Sequence, residues 1–330
     1  MKPKTRLTIL KYLASVGILA WLVYSRRDQF AAFGEQEKNL WWIGAGCITM
    51  TSAFTISYLR WRCLARAINF DLSLKESVRL GFIGAFFNVI AFGVVGGDSL
   101  RAWYAARANK DRVPEAILSV FIDRAIGLMV MFAFAGIAWQ ICKLTGTLDG
   151  AAEKQATIAG ICNTAGVLSI IGAVILLCLL LFPNVRKAAP FQALTRIPKI
   201  GGLIDRGMEA AALYSENRTS ILVAIFCSIT TNLLFATTIW LVATGVCTSP
   251  PTFIEHLVMA PIAMLANSVP LPGGVGGMEW ALSAMYESMQ ASGGVIVAIC
   301  YRCCILFVSL IGWIVWLLGG DNGPDEPTNS

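Results

Sequence analysis

Long apolar segments alternate with short polar segments along most of this chain. Each of six long runs meets the roughly 20-residue length that an α-helix needs to cross the hydrocarbon of a bilayer. These runs cover residues 7–24, 40–59, 116–142, 157–182, 219–247 and 295–319. Two further apolar runs, at 80–95 and 256–271, are shorter and continue through glycines into a second helical segment. The pattern predicts an all-α polytopic membrane protein with about six full transmembrane helices and two broken helices.

Composition supports this prediction. Hydrophobic residues make up 56% of the 330 residues, and only 14% are charged, whereas about 25% are charged in an ordinary soluble domain. A soluble protein of this length could not cover its surface with so few charges. Most of the ten cysteines lie inside apolar runs, and His256 is the single histidine, so we predict neither a cofactor nor a metal site, and no nucleic-acid partner.

The basic residues predict the orientation of the chain. If the N-terminus is cytoplasmic, 19 of the 26 Lys and Arg residues lie in inner segments, and five lie in outer segments. The inner segments are 1–11, 60–80, 98–115 and 183–218. Because cytoplasmic loops carry an excess of Lys and Arg, we predict a multi-pass protein of the inner (cytoplasmic) membrane with both termini in the cytoplasm. The two remaining basic residues, Arg124 and Arg302, lie inside predicted spans.

The same charge distribution predicts that the two broken helices are re-entrant. The segments 60–80 and 98–115 are both basic, so the run between them must return to the side from which it entered. By the same argument, the 256–271 run enters and leaves from the outer side. Re-entrant backbone is tolerated only where it is buried in protein or lines a wet cavity, and two such elements therefore indicate an internal polar site.

The two broken elements also share a sequence pattern. Each has an Asn in an apolar run, a Gly-Gly pair, an acidic residue that opens a helix, and an Arg in the next helix. The matching residues are Asn88 and Asn267, Gly96-Gly97 and Gly273-Gly274, Asp98 and Glu279, and Arg124 and Arg302. Their separations of 177 to 181 residues predict a duplication, and the assigned orientation makes the two copies inverted. Inverted repeats with discontinuous helices are typical of transporters that bind substrate near the bilayer midplane.

These boundaries define the predicted domain organisation. A single transmembrane domain covers residues 1–320, with repeat 1 at about 40–142 and repeat 2 at about 219–319. The segment 183–218 is predicted to be an amphipathic cytoplasmic loop, since its basic residues alternate with apolar ones. Residues 321–330 form a short acidic cytoplasmic tail.

The chemistry of the repeated residues favours an anionic ligand. A guanidinium presents a donor fork that matches phosphate, so Arg124 and Arg302 are candidate phosphate contacts. The N-terminus of each second half-helix also favours an anion, and glycines allow a headgroup to approach the backbone. Asn88, Asn267 and Pro272 are expected to satisfy or shape the broken backbone.

The acidic residues leave two interpretations open. Asp98, with Ser99, can cap the helix that starts there and pair with Arg101, and Glu279 can do likewise or pair with an arginine. Alternatively, Asp98, Asp123 or Glu279 carries a coupling proton or contacts a cationic headgroup. Asp123, beside Arg124, is also explained by an interfacial position.

These residues resemble a known family, the lysylphosphatidylglycerol synthase transmembrane-region family of flippase-like membrane proteins. The resemblance covers nearly the whole chain. It is carried by Asn88 through Gly96-Gly97-Asp98 with Arg101, by Ser119 with Asp123-Arg124 and Gly127, and by Pro272-Gly273-Gly274 with Gly276 and Glu279. It implies a region that moves aminoacylated phosphatidylglycerol across the bilayer. Members with synthase activity end in a soluble aminoacyltransferase domain, for which we expect no room before Ser330.

We therefore predict a flippase-like transporter, not an enzyme, that binds and translocates an anionic phospholipid or lipid-linked headgroup. One alternative is a membrane-embedded enzyme that acts on a lipid phosphate, and another is a lipid-binding accessory subunit that does not transport.

Overall fold

The computed structural model describes residues 39–90, 94–108, 112–146, 152–181, 209, 212–267 and 276–318, and within these residues it contains helices and no strands. We number the helices in chain order. They are α1 Leu40–Ala67, α2 Leu74–Ile90, α3 Val94–Ala108, α4 Val113–Thr145, α5 Ala152–Leu181, α6 Arg218–Val246, α7 Phe253–Asn267, α8 Gly277–Ser288 and α9 Gly294–Leu318.

Five of these helices, α1, α4, α5, α6 and α9, are long and apolar enough to cross a membrane. They coincide with five of the six runs that the hydrophobic pattern identified, which confirms a polytopic α-helical membrane protein. The first predicted span at 7–24, most of the loop 183–218 and the tail 321–330 lie outside the described residues.

The first described span is longer than its apolar run. Asn39 caps α1, since its side-chain oxygen accepts the N–H of Trp41 at 3.2 Å, and the helix continues to Ala67. The helix therefore runs eight residues beyond the apolar run predicted at 40–59, and the inner location of residues 60–80 stays a prediction. Trp61 and Leu64 are fully buried, so packing against other helices extends α1 through a stretch that its basic residues mark as polar.

The two shorter apolar runs form helical hairpins. Helix α2 packs against α3, and α7 packs against α8. In the first hairpin, α2 ends at Ile90 and α3 already begins at Val94, so the predicted turn at Gly96-Gly97 is wrong and both glycines lie inside α3. Gly97 instead permits the close crossing of the two helices, because a Cβ there would lie 2.1 Å from the carbonyl oxygen of Gly84.

Helices α1 and α6 pack side by side in antiparallel directions. Thr49 bonds to Thr238 at 2.8 Å, and Arg60 donates to Ser228 at 2.8 Å, so residue numbers rise along one helix as they fall along the other. Thr49 and Ser228 are 179 positions apart, and Arg60 and Thr238 are 178 apart. A shift of half the chain therefore exchanges these two contacts, as a two-fold axis in the membrane plane would. The duplication and its inversion stay predictions.

Candidate functional site

The first intramembrane arginine binds an acid on the neighbouring hairpin. Arg124 on α4 pairs with Asp98 on α3, with Nε and Nη2 each 2.5 Å from a carboxylate oxygen. Arg124 lies 11 residues after the start of α4, which at about 1.5 Å per residue places it about 16 Å along the helix. The side chain of Arg124 is 39% exposed and that of Asp98 is 14% exposed, so the guanidinium is the more accessible partner.

Asn88 holds the two helices of the first hairpin together at this point. Its side-chain oxygen on α2 accepts the N–H of Gly97 on α3 at 2.8 Å. This bond confirms that Asn88 satisfies a backbone group in the first turn of a broken helix. It also fixes the position of Asp98, the next residue, relative to Arg124.

Asp98 does not cap α3, so the capping interpretation, one of the two that the sequence left open, is wrong. Helix α3 starts at Val94, so Asp98 is its fifth residue and faces its neighbours as an ion-pair partner. The expected pair with Arg101 is present, with Nη1 donating to Oδ1 over 3.4 Å. Asp98 therefore lies between two arginines.

A second cluster of the same residue types lies at the second hairpin. Arg302 on α9 pairs through Nε with Oε1 of Glu279 on α8, and its Nη2 lies 3.5 Å from the side-chain oxygen of Asn267 at the end of α7. The other oxygen of Glu279 accepts the N–H of Gly276 at 2.9 Å. Glu279 is thus both a helix cap and an ion-pair partner, and the two roles considered for it occur together.

Each cluster joins an Asn, an acid and an Arg from three successive helices at a helix break. Arg124 and Arg302 lie on the apolar helices α4 and α9, where an unpaired charge would be costly, and each has an acidic partner. Arg124 is 39% exposed, whereas Arg302 is 14% and Glu279 is 1% exposed. The structure thus brings together residues that lie 26 positions apart in one half and 23 in the other. Pro272, Gly273 and Gly274 lie outside the described residues.

A family model for the "Lysylphosphatidylglycerol synthase TM region" matches residues 8–312. The chain belongs to this family. A comparison with curated proteins and with solved structures finds no match.

Asp123 does not join the pair that Arg124, the next residue, forms with Asp98. Asp123 is fully buried, and its Oδ1 accepts a bond from Arg60 Nε over 2.7 Å. Its carboxylate is therefore enclosed by protein, and an interfacial depth for Asp123 stays a prediction. Successive residues of a helix point in directions about 100° apart, so Arg124 faces the first hairpin while Asp123 faces α1.

Arg60 is a buried charged residue that the sequence pattern did not identify as part of the site. It is 4% exposed and also donates through Nη1 to Ser228 on α6. A Cβ on Gly127 would lie 3.0 Å from Arg60 Nη1, so this glycine leaves room for the guanidinium. Arg60 lies one and four positions before Trp61 and Leu64, which are buried on α1. This helical spacing could have indicated that Arg60 is buried too.

Proposed function

We propose that the protein binds the phosphate of an anionic phospholipid inside the membrane and moves that lipid between the two leaflets. The observation that carries the proposal is the pair of Asn–acid–Arg clusters at helix breaks, described above. Membership of the family supports a role in lipid biology. Both termini are proposed to lie in the cytoplasm, on the basis of the basic residues in alternate loops.

The ion pairs supply a physical reason for reversible binding. An arginine on a membrane-spanning helix is costly without a counter-ion, so Asp98 and Glu279 stabilise the site when no lipid is bound. A phosphate presents two oxygens with the same bidentate geometry as a carboxylate. A lipid phosphate can therefore replace the carboxylate on Arg124 or Arg302, and the carboxylate can replace it again when the lipid leaves.

The helix N-termini add to this proposal in the second half. The N–H of Gly276 at the start of α8 bonds to Glu279, so an anionic oxygen already occupies the position that favours negative charge. If a lipid phosphate displaces Glu279 from Arg302, it approaches the same N–H group.

Lipid movement in reconstituted vesicles tests the proposal. The full chain is inserted into vesicles that contain a trace of fluorescent phosphatidylglycerol, and an impermeant reductant then bleaches the probe in the outer leaflet. We expect the wild-type protein to bring inner-leaflet probe to the reductant, and we expect R124Q and R302Q to slow this at least about tenfold, the equivalent of about 1.4 kcal/mol. Arg66 pairs with Asp71 at 3.8 Å with both side chains exposed, so R66Q is the control for loss of one positive charge.

The proposal fails if the wild-type protein gives no more bleaching than protein-free vesicles. It also fails if both intramembrane variants, reconstituted in equal amount, move the probe at the wild-type rate.

A further inference from the structure

The two halves of the protein share the Asn–acid–Arg cluster but differ in the charges around it. Next to the first cluster lie Arg60, Arg101 and Asp123, all buried. The positions 178 or 181 residues further along are Thr238, Leu282 and Tyr301, which carry no charge at neutral pH and are buried as well. The extra charges therefore occur around the first cluster and not at the matching positions of the second.

Among the described residues, the buried ion pairs around the first cluster leave one arginine without an acid of its own. Asp123 pairs with Arg60 at 2.7 Å, and Asp98 pairs with Arg124 at 2.5 Å. This leaves the guanidinium of Arg101, which is 2% exposed. Its Nη1 lies 3.4 Å from Asp98, an acid that already binds another arginine. Among the residues that the structure describes around the first cluster, three arginines thus face two acids, whereas Arg302 and Glu279 balance one for one.

Two of the nitrogens of Arg101 are also without a hydrogen-bond partner. Among the residues that the structure describes, Nε and Nη2 of Arg101 have none, and neither does the hydroxyl of Tyr58. A buried donor that lacks a partner costs about 1–3 kcal/mol, and more if it is charged. Such groups indicate a ligand that brings acceptor oxygens and negative charge.

The surroundings of Arg101 hold its guanidinium in place. Its central carbon lies 4.3 Å from the ring centroid of Trp61 and 5.5 Å from that of Tyr58, so two aromatic faces flank the cation. A Cβ on Gly84 would lie 2.7 Å from Cγ and Cδ of Arg101, and the absence of a side chain there leaves space for its stem. Residues of α1 and α2 thus hold the guanidinium of Arg101, which lies on α3, in a fixed position.

We propose that the first half contains a monoanion site in which Arg101, together with Arg124, binds one phosphodiester group. The cluster at Arg302, whose charge is balanced by Glu279, does not select for a negative headgroup in this way. The excess of one positive charge sets the preference for a singly negative headgroup over a zwitterionic one. The inference rests on the proposed function, which supplies a lipid as the source of the phosphate. Because a free phosphate ester has the same chemistry, the experiment also distinguishes a lipid from a free ester.

Lipid binding to the full chain in a neutral detergent tests the site without any transport step. Bound phosphatidylglycerol and phosphatidylcholine are counted by native mass spectrometry over a concentration series. We expect the wild-type protein to prefer phosphatidylglycerol and R101Q to lose about tenfold of that preference, or about 1.4 kcal/mol. R101K keeps the charge but lacks the planar fork, so we expect a smaller loss of affinity for phosphatidylglycerol with phosphatidylcholine unchanged.

Arg107 provides the matched control. It lies on the same helix and stacks 5.4 Å from the ring of Trp103, but it is exposed, so we expect R107Q to keep the wild-type preference. If circular dichroism and size exclusion show that R101Q does not fold, the lipid preference of R101K is the test instead. An unchanged preference in the folded Arg101 variant overturns the inference, and so does an equal loss in R107Q.

Glycerol 3-phosphate distinguishes the two sources of the phosphate. If it displaces phosphatidylglycerol from the wild-type protein but not from R101Q, the site recognises the headgroup alone. If it displaces none while the Arg101 dependence holds, the site requires the lipid chains. A protein that shows this preference but moves no lipid in vesicles supports the site and contradicts transport, so the two failures are distinguishable.

Discussion

Arg60 and Asp123 form a buried ion pair between α1 and α4, with Nε 2.7 Å from Oδ1 and side-chain exposures of 5% and 0%. The bond from Arg60 to Ser228 at 2.8 Å adds α6 to the same contact. The second oxygen of Asp123 has no hydrogen-bond partner among the described residues. Arg60 thus connects three of the membrane-spanning helices, and its positive charge is balanced by the carboxylate of Asp123.

Removal of either partner is predicted to destabilise the protein more than removal of both. R60L or D123L leaves an uncompensated buried charge, which costs about 3–5 kcal/mol, whereas replacement of a buried pair by apolar residues is often neutral. We therefore expect the double variant R60L/D123L to unfold closer to the wild type than either single variant. Unfolding in detergent, followed by circular dichroism, measures the three differences.

The exposed pair of Arg66 and Asp71, 3.8 Å apart, is the control for this cycle. Loss of an exposed pair costs about 0–1 kcal/mol, so R66L should change stability little. A double variant R60L/D123L that is less stable than both single variants would contradict the prediction.

The sequence was sufficient to find the residues of the two clusters, because Asn, acid and Arg recur at nearly constant separation. It was not sufficient to find Arg60. The run of basic residues after position 59 resembles a loop, and only tertiary packing of Trp61 and Leu64 shows that α1 continues through it. The polar residues after position 59 predicted the end of the helix, but burial of Trp61 and Leu64 against other helices extends it.

The glycines show a second limit of the sequence. A glycine pair is expected both at a turn and where two helices approach closely, and the pattern does not separate these uses. At Gly97 the second use applies, since the neighbouring backbone of Gly84 lies where a side chain would be. The sequence thus predicted the pair of Asp98 with Arg101, but it did not predict the pair of Asp98 with Arg124.

Gly97 is predicted to be intolerant of even one added methyl group. A Cβ there would lie 2.1 Å from the oxygen of Gly84 and 2.3 Å from Oδ1 of Asn88, so G97A must separate α2 from α3 or break the Asn88 bond. We expect a loss of about 1–3 kcal/mol, the usual cost of overpacking, measured as a lower midpoint of thermal unfolding in detergent.

Gly160 on α5 is the matched control, because a Cβ there meets nothing within 4 Å. We expect G160A to be neutral or to stabilise by up to about 1 kcal/mol, the difference in helix propensity. Equal midpoints for G97A and G160A would show that the close crossing of α2 and α3 is not needed.

Glu279 is predicted to matter more for stability than an ordinary capping acid. It accepts the N–H of Gly276 and also neutralises Arg302, so E279Q weakens a cap and leaves a partly buried arginine without its counter-ion. Glu255 is a useful comparison, since it bonds to the N–H and the hydroxyl of Thr252 at 2.6 and 2.7 Å at the exposed start of α7. We expect E255Q to cost about 1 kcal/mol and E279Q to cost about 3 kcal/mol or more.

Denaturant titration of both variants measures this difference at one pH. If E279Q and E255Q lose the same stability, the pair with Arg302 contributes nothing beyond the cap.

The proposed inversion of the two hairpins predicts which loops face each side of the membrane. Asp71 lies between α1 and α2, and Ser249 lies at the matching place between α6 and α7, 178 positions later. Both are exposed. In a background without native cysteines, an impermeant maleimide should label D71C only in inverted vesicles and S249C only in right-side-out vesicles, because the basic loops are cytoplasmic.

Two further positions test re-entrance separately from inversion. Arg107 near the end of α3 and Ser292 before α9 are exposed, and each lies at the far end of its hairpin. If each hairpin returns to its side of entry, R107C labels with D71C and S292C labels with S249C. Labelling of R107C and D71C from opposite sides would make α2 and α3 a crossing segment, and labelling of D71C and S249C from the same side would rule out inverted halves.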